Sequence, residues 1–397
     1  MRFFILFALF SGAFAQQLVN LNTFTGGGQN NLIPGNAPYA IYVSAYSDST
    51  AALQSIFVTT GDGTKKSLHD LKNYKLFQNS GQLQPFVVKD NAYLTTTLTT
   101  NDLKTLHGVM FISSTAQLNN QNFYVIDISA AQTFPKLTQG DMTFFFLNTH
   151  MNTNPYQSSI ISSWTQDQST TAYIYQGAPT DVAESNIYQI FSNPVVTTNA
   201  KTQFFSTVEK FALSLGAFYI KTTKGAPGFR IEPGYYTAQG STTSAYTTTG
   251  FYMKAKGQTD SLYTVHCRRD TKYSGTSGMN MLGSLPTGKK VTYGVYDGAS
   301  KWEESSVANP FFSPWNIPFI GENFQISSDG GNDGQYFVQY FTVQGPIGTG
   351  TTVLPGRQTT AGPGPYPTVP GHVETTTKSS DAVQIFICLM LCLVGLL

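Results

Sequence analysis

Short apolar runs in this 397-residue chain repeat with a period of two rather than 3.6, and that feature restricts what it can fold into more than any other. Phe123-Tyr124-Val125-Ile126-Asp127-Ile128, Phe144-Phe145-Phe146-Leu147 and Gln335 through Val343 show it most clearly. Thr, Tyr, Phe and Val dominate these runs, residues that suit a pleated, half-buried surface. Asp62-Gly63 and Asp297-Gly298 are dipeptides that accept the positive φ of a tight reverse turn. One short segment, Thr207 to Leu215, has helical character. The pattern predicts an all-β protein of stacked sandwiches.

The runs recur. A strand followed by a Gly turn occurs as Ser55 to Gly63, Ala172 to Ala178 and Tyr293 to Ser300. A second pattern closes each unit: Gly108-Val109-Met110-Phe111-Ile112, Gly216-Ala217-Phe218-Tyr219-Ile220 and Gly334-Gln335-Tyr336-Phe337-Val338. The closing glycines stand at the spacing of a typical domain, so residues 16–118, 119–228 and 229–343 are expected to form three modules.

Both ends read as processing signals. Arg2, the apolar run Phe3 to Phe10 and Ala13-Phe14-Ala15 match the regions of a secretory signal peptide over residues 1–15. Residues 344–381 hold 6 Pro, 7 Gly, 9 Thr and 2 Ser, a stalk that cannot bury enough apolar area to order itself. Ala382 to Leu397 carries no charged side chain and follows Ser379-Ser380-Asp381. At ~1.5 Å per residue it reaches about 24 Å, short of the ~30 Å hydrocarbon core. A glycosylphosphatidylinositol (GPI) attachment signal is expected there, with Ser380 the preferred attachment residue and a tail-anchored span the alternative. The expected place is the outer face of the plasma membrane.

Charge narrows the function. Only 11% of residues are charged, against ~25% in a usual soluble domain, and 23 Lys and Arg face 22 Asp and Glu. Such a chain has no field with which to steer phosphates, so nucleic acid is excluded as a partner. Its 41% hydrophobic and 14% aromatic residues supply a core, leaving a surface of hydroxyls and amides.

The third unit, through Tyr296-Asp297-Gly298, Ser328-Asp329 and Gly334-Gln335-Tyr336-Phe337, resembles a CUB domain. With the leader, stalk and lipid signal, the chain looks like the CUB-like proteins that nematodes secrete. The resemblance implies jelly-roll sandwiches, extracellular binding rather than catalysis, and an association with the response to pathogens. Two departures stand out. CUB modules usually carry paired disulfides, yet Cys267 is the only cysteine outside the tail. Their calcium ligands include an acid seven positions before the turn glycine, where this chain has Val291; Asp329 alone cannot supply the six to eight or so oxygens Ca²⁺ takes.

Little else suggests chemistry. The run Asp329-Gly330-Gly331-Asn332-Asp333-Gly334 has Gly at the third and Tyr340 at the twelfth position of an EF-hand loop, so a hairpin loop is expected. His69, His107, His150, His266 and His372 form no H-E-x-x-H or close pair, and there is no G-x-S-x-G elbow; Gly26-Gly27-Gly28 lacks a phosphate-loop ending. Glu303 and Glu304 would point to opposite faces of a strand. In His266-Cys267-Arg268-Arg269 the cations could activate the thiol, but a buried, inert cysteine is the simpler expectation. A lone secreted cysteine can also link two chains; a monomer is expected. Cys388 and Cys392 lie in the tail with the wrong spacing for a redox or zinc pair. No Asn-x-Ser/Thr sequon occurs, so glycans would be O-linked.

The expectation is therefore a non-enzymatic, GPI-anchored protein, without cofactor or metal, that binds an extracellular protein or glycan. Tyr296, Asp297, Trp302, Trp315 and Asp329 are its candidate contacts. A surface-coat component and, more remotely, a secreted hydrolase are the alternatives.

Overall fold

The computed structural model describes residues 17–77, 80–181, 188–196, 202–235, 241–259, 262–306, 311–317 and 319–346. The leader, the stalk beyond residue 346, the apolar tail and Ser380 lie outside them. The chain is all-β, as the two-residue period requires.

Sheet A joins Gln17–Asn20, Gly108–Ile112, Tyr39–Ala45 and Phe86–Val88; sheet B joins Asn31–Leu32, Ala92–Thr96, Ile56–Thr60 and Lys65–Ser67. Sheet C has six strands in the order Gln189–Asn193, Thr171–Gln176, Ala217–Thr223, Met142–Leu147, Phe123–Asp127 and Gln82–Leu83. Sheet D joins Gln132–Phe134, Gly228–Gly234, Ser158–Thr165 and Phe211–Leu213. Sheet E joins Thr248–Lys254, Gln335–Pro346, Tyr273–Ser284 and Phe311–Ile317. Sheet F runs Ser241–Thr243, Tyr263–His266, Asn323–Ser328, Val291–Asp297 and Ser300–Ser306.

The sheets are not paired off and insulated from one another, because several strands are apolar on both faces. In Tyr39–Ala45, Ile41 and Val43 enter a core with Ile56, Val58 and Leu94 of sheet B. Ala40 and Tyr42, one residue out of phase, enter another with Phe145 and Tyr219 of sheet C. Sheet C divides in the same way. Phe144, Phe146 and Ile220 face Phe211, Phe229 and Ile231 of sheet D, while Phe145, Leu147 and Tyr219 face sheet A. In Thr248–Lys254, Phe251 and Met253 join that sheet C and D core, whereas Tyr252 joins the core between sheets E and F. A strand buried on both sides reads as a continuous apolar run. Each large side chain so buried contributes about 1.5–3 kcal/mol, and here the contribution is made between successive sandwiches as well as within them.

The closing strands Gly108–Ile112, Ala217–Thr223 and Gln335–Pro346 each lie inside a sheet, hydrogen-bonded on both sides. Their opening partners are not equivalent: Thr171–Gln176 pairs directly with its closing strand, whereas Ile56–Thr60 and Val291–Asp297 lie in the other sheet.

The helix expected over Thr207 to Leu215 is absent. Phe211–Leu213 is a strand paired with Ser159, Ile160 and Ile161, since sheet D offers its backbone a ladder and its side chains a core. Helices occur instead as single turns, Thr50–Gln54, Leu68–Lys72, Thr100–Lys104 and Thr115–Asn119. Three of these open on reciprocal capping boxes, Ser67 with Asp70, Thr99 with Asp102 and Ser114 with Gln117.

Candidate functional site

The candidate residues lie around the hairpin of sheet F, whose register disperses them. Val291–Asp297 and Ser300–Ser306 pair from Val291↔Ser306 to Asp297↔Ser300, leaving Gly298-Ala299 as a two-residue loop. Gly298, with φ of 56°, takes the left-handed position, and Asp297 only precedes it. Residues directly opposite share a face. Val295 faces the core, so its partner Trp302 turns inward too and lies against Phe319, ring centroids 4.5 Å apart. Trp315 is a core residue, 8% exposed, edge-on to Tyr293 at 5.9 Å. Asp329 closes the other end of the strand. Its carboxylate accepts from the Lys290 N–H at 2.6 Å, about 20 Å along the strand from Asp297. Tyr296 and Asp297 alone remain together.

Tyr296 belongs to the outward face. The register places His266, Asn323, Tyr296 and Lys301 in one row across four strands. His266 Nδ1 and Asn323 Oδ1 are 2.6 Å apart. The Tyr296 hydroxyl donates to Glu303 Oε2 at 2.8 Å, reaching over the strand where Gly294 has no side chain. Burial, then the Glu303 carboxylate, pushes the Tyr296 phenol up to about 12. At the hairpin tip, Arg269 bridges Asp297 at 3.0 Å and Glu322 at 3.3 Å, and Glu322 also accepts the Gly298 N–H at 3.2 Å. The partners are well exposed, so each such pair is worth about 0–1 kcal/mol; they position more than they stabilise. The period of two already separates His266, outward, from Cys267 beside the core; the sequence marked Arg269 only as a neighbour of that thiol, and Glu322, from a remote segment, gave no signal.

Three other polar clusters have structural explanations. Burial pushes the Cys267 thiol up to about 12, which makes it a poor nucleophile. In the Asp329 to Gly334 loop, the carbonyls of Gly331 and Gly334 each accept from Lys254 Nζ at 2.5 Å, and that of Asn332 accepts from the Gly257 N–H at 2.7 Å. A buried ammonium thus fills the loop. Ser44 Oγ donates to Asp127 at 2.5 Å, and Lys75 Nζ lies 3.3 Å from the same carboxylate. Ser44 is wholly buried, so no substrate reaches this triad. Among the described residues no three His, Cys, Asp or Glu side chains converge on a metal site, and no helix is long and apolar enough to cross a membrane.

A family model described as "Transmembrane glycoprotein" matches residues 36–394. No curated protein matches the chain. Among solved structures it is similar to the PBSX exported protein XepA, with 9% identity over 54% of this chain and 86% of that one and a TM-score of 0.18. A triple-jelly-roll turret protein of an archaeal virus shares 11% identity over 83% and 81%, with a TM-score of 0.20. The Sulfolobus Turreted Icosahedral Virus structure shares 10% over 80% and 83%, TM-score 0.18. Likenesses this remote carry no argument about this chain. The family match overturns the resemblance to nematode CUB-like proteins, and its pathogen-response association goes with it. The physical reason is that the motifs were generic turn chemistry: Asp297 holds Arg269 at a hairpin tip and Asp329 closes a loop on Lys290.

Proposed function

Because this chain belongs to the transmembrane glycoprotein family, a surface or membrane-associated class, we propose that its sandwiches form a non-catalytic contact unit for an extracellular protein or glycan. The outward row of sheet F carries this reading: His266, Asn323, Tyr296 and Lys301, flanked by Glu303 and the Arg269 bridge, offer an aromatic ring among donors and acceptors of both signs. A tyrosine among mixed charges suits short-range recognition, and a near-neutral chain suits it better than long-range steering. Tyr296→Ala with Arg269→Ala, in the full chain displayed on cells, is expected to abolish capture of glycan-array or cell-surface ligands bound by the unaltered chain. Undiminished capture would remove the patch from the function.

Attachment is proposed through Ala382 to Leu397 as a GPI signal with Ser380 as the lipid-bearing residue. The supporting features are the small polar residues Ser379-Ser380-Asp381 followed by an uncharged apolar segment. Phosphatidylinositol-specific phospholipase C is expected to release the protein from cells; retention after treatment would favour a membrane-spanning tail. With no Asn-x-Ser/Thr sequon, the glycans of this family member are proposed to be O-linked on the Thr-rich stretch before the tail.

A further inference from the structure

A second surface suited to a ligand lies on sheet C, remote in sequence from the hairpin of sheet F. The register aligns Val125, Phe145, Tyr219 and Tyr175 across four strands, and this row is sealed in the core shared with sheet A. Two residues along on the same face come Phe123, Thr143, Lys221 and Tyr173, all only half-buried. The first three floor a cleft of about 200 Å³. Its walls are the turn Thr115–Asn119 with Asn120, and the segment Pro179 to Asp181. The walls are tied together: Gln117 Nε2 donates to the Pro179 carbonyl at 3.2 Å, and Ser114 Oγ donates to Asp181 Oδ1 at 2.9 Å. The cleft is therefore built before any ligand arrives.

Its unused groups define what it takes. Asn120 Oδ1 accepts from the Asn122 N–H at 2.9 Å; among the described residues, Asn120 Nδ2, Asp181 Oδ2 and Thr143 Oγ1 have no hydrogen-bond partner. One acceptor, one donor and one hydroxyl that does both line the cleft together with Phe123. We propose that this cleft is a subsite for one neutral pyranose ring of an extracellular glycan. A pyranose presents an apolar C–H face to an aromatic ring and a rim of hydroxyls that donate and accept. The cleft is smaller than the ~300–1,000 Å³ of drug-sized pockets, which fits a single ring. The Asp181 carboxylate in the lining favours a neutral ligand over an anion.

This assignment rests on the reading of the chain as a contact protein, but not on the sheet F patch. The full chain in detergent is titrated with the methyl glycosides of glucose, galactose, mannose and N-acetylglucosamine, followed by saturation-transfer NMR. At least one is expected to bind, about tenfold more weakly in the double variant Asp181→Asn, Thr143→Val, as loss of a charged hydrogen bond implies. Both substitutions keep side-chain size, and an unchanged melting temperature verifies the fold. Lys89→Ala, an exposed residue outside both surfaces, is expected to leave saccharide binding intact. No transfer to any of the four glycosides, or equal affinity in the double variant, overturns the subsite. Ligand capture lost only on altering sheet F would then leave the contact reading standing without it.

Discussion

The side-chain amide of Gln339 hydrogen-bonds the backbone of Ser192 at both of its polar groups, taking the N–H at 2.9 Å and donating to the carbonyl at 2.7 Å. The same Nε2 also lies 3.0 Å from Thr249 Oγ1. Gln339 thus acts as one more residue of ladder, continuing sheet C onto sheet E across 147 residues of sequence. Both residues are 2% exposed, so neither backbone group of Ser192 has water to fall back on. Gln339→Met, which keeps the volume, is expected to cost about 2–4 kcal/mol by leaving both groups unpaired. Urea unfolding of the two proteins measures it, and a loss below about 1 kcal/mol would mean that the sandwiches meet through apolar contact alone.

Asp127 joins sheet C to the first sandwich in the same manner. It is 1% exposed and holds both Ser44 and Lys75. Removing one partner of a buried pair leaves the other charge desolvated, so Asp127→Ala is expected to destabilise by about 3 kcal/mol or more. Replacing both, as Asp127→Leu with Lys75→Met, is expected to recover much of that loss. A double-mutant cycle by chemical denaturation checks it; simple additivity would show that the ion pair is inert.

His150 makes stability depend on pH. It sits edge-on to Tyr46 at 5.0 Å with Nδ1 buried and unbonded, and desolvation lowers its pKa below 6.5 despite the attraction of Asp127. Above pH 6.5 the ring is neutral folded and unfolded, and no penalty arises. As pH falls below 6.5 the unfolded chain takes up a proton that the folded chain resists, so stability declines until the depressed folded pKa is reached. Melting temperatures at pH 7.5 and 5.5 are expected to differ, and His150→Phe to narrow the difference. An unchanged difference would place the pH dependence elsewhere.

Cys267 is expected to resist alkylation at pH 8 in the native protein and to react once it is denatured, because burial pushes its thiol up to about 12. On a non-reducing gel the chain is expected to run as a monomer. A dimer band lost on reduction would show the thiol accessible to a second chain.

The sequence was legible wherever a property is local. The run Tyr293 to Ser300 read as a strand followed by a turn, and Gly298 indeed stands at the hairpin tip. Ser67 with Asp70 and Thr99 with Asp102 were readable as capping boxes, although the turns they start are too short to show a 3.6 period. Trp302 and Tyr296, six residues apart, looked like neighbours on one surface. Register sends them to opposite faces, and no composition or motif reports register.

The sequence by itself determined an all-β chain with little charge, because strand formation and turn chemistry are decided within a few residues. Tertiary structure decided the rest. It brought Arg269 to Asp297 and Glu322, set Gln339 on Ser192, placed Lys254 inside the glycine loop and opened the cleft beside Phe123. Each of these joins segments remote in the chain, and only the closing of sheet on sheet brings them within the few ångströms over which a hydrogen bond acts.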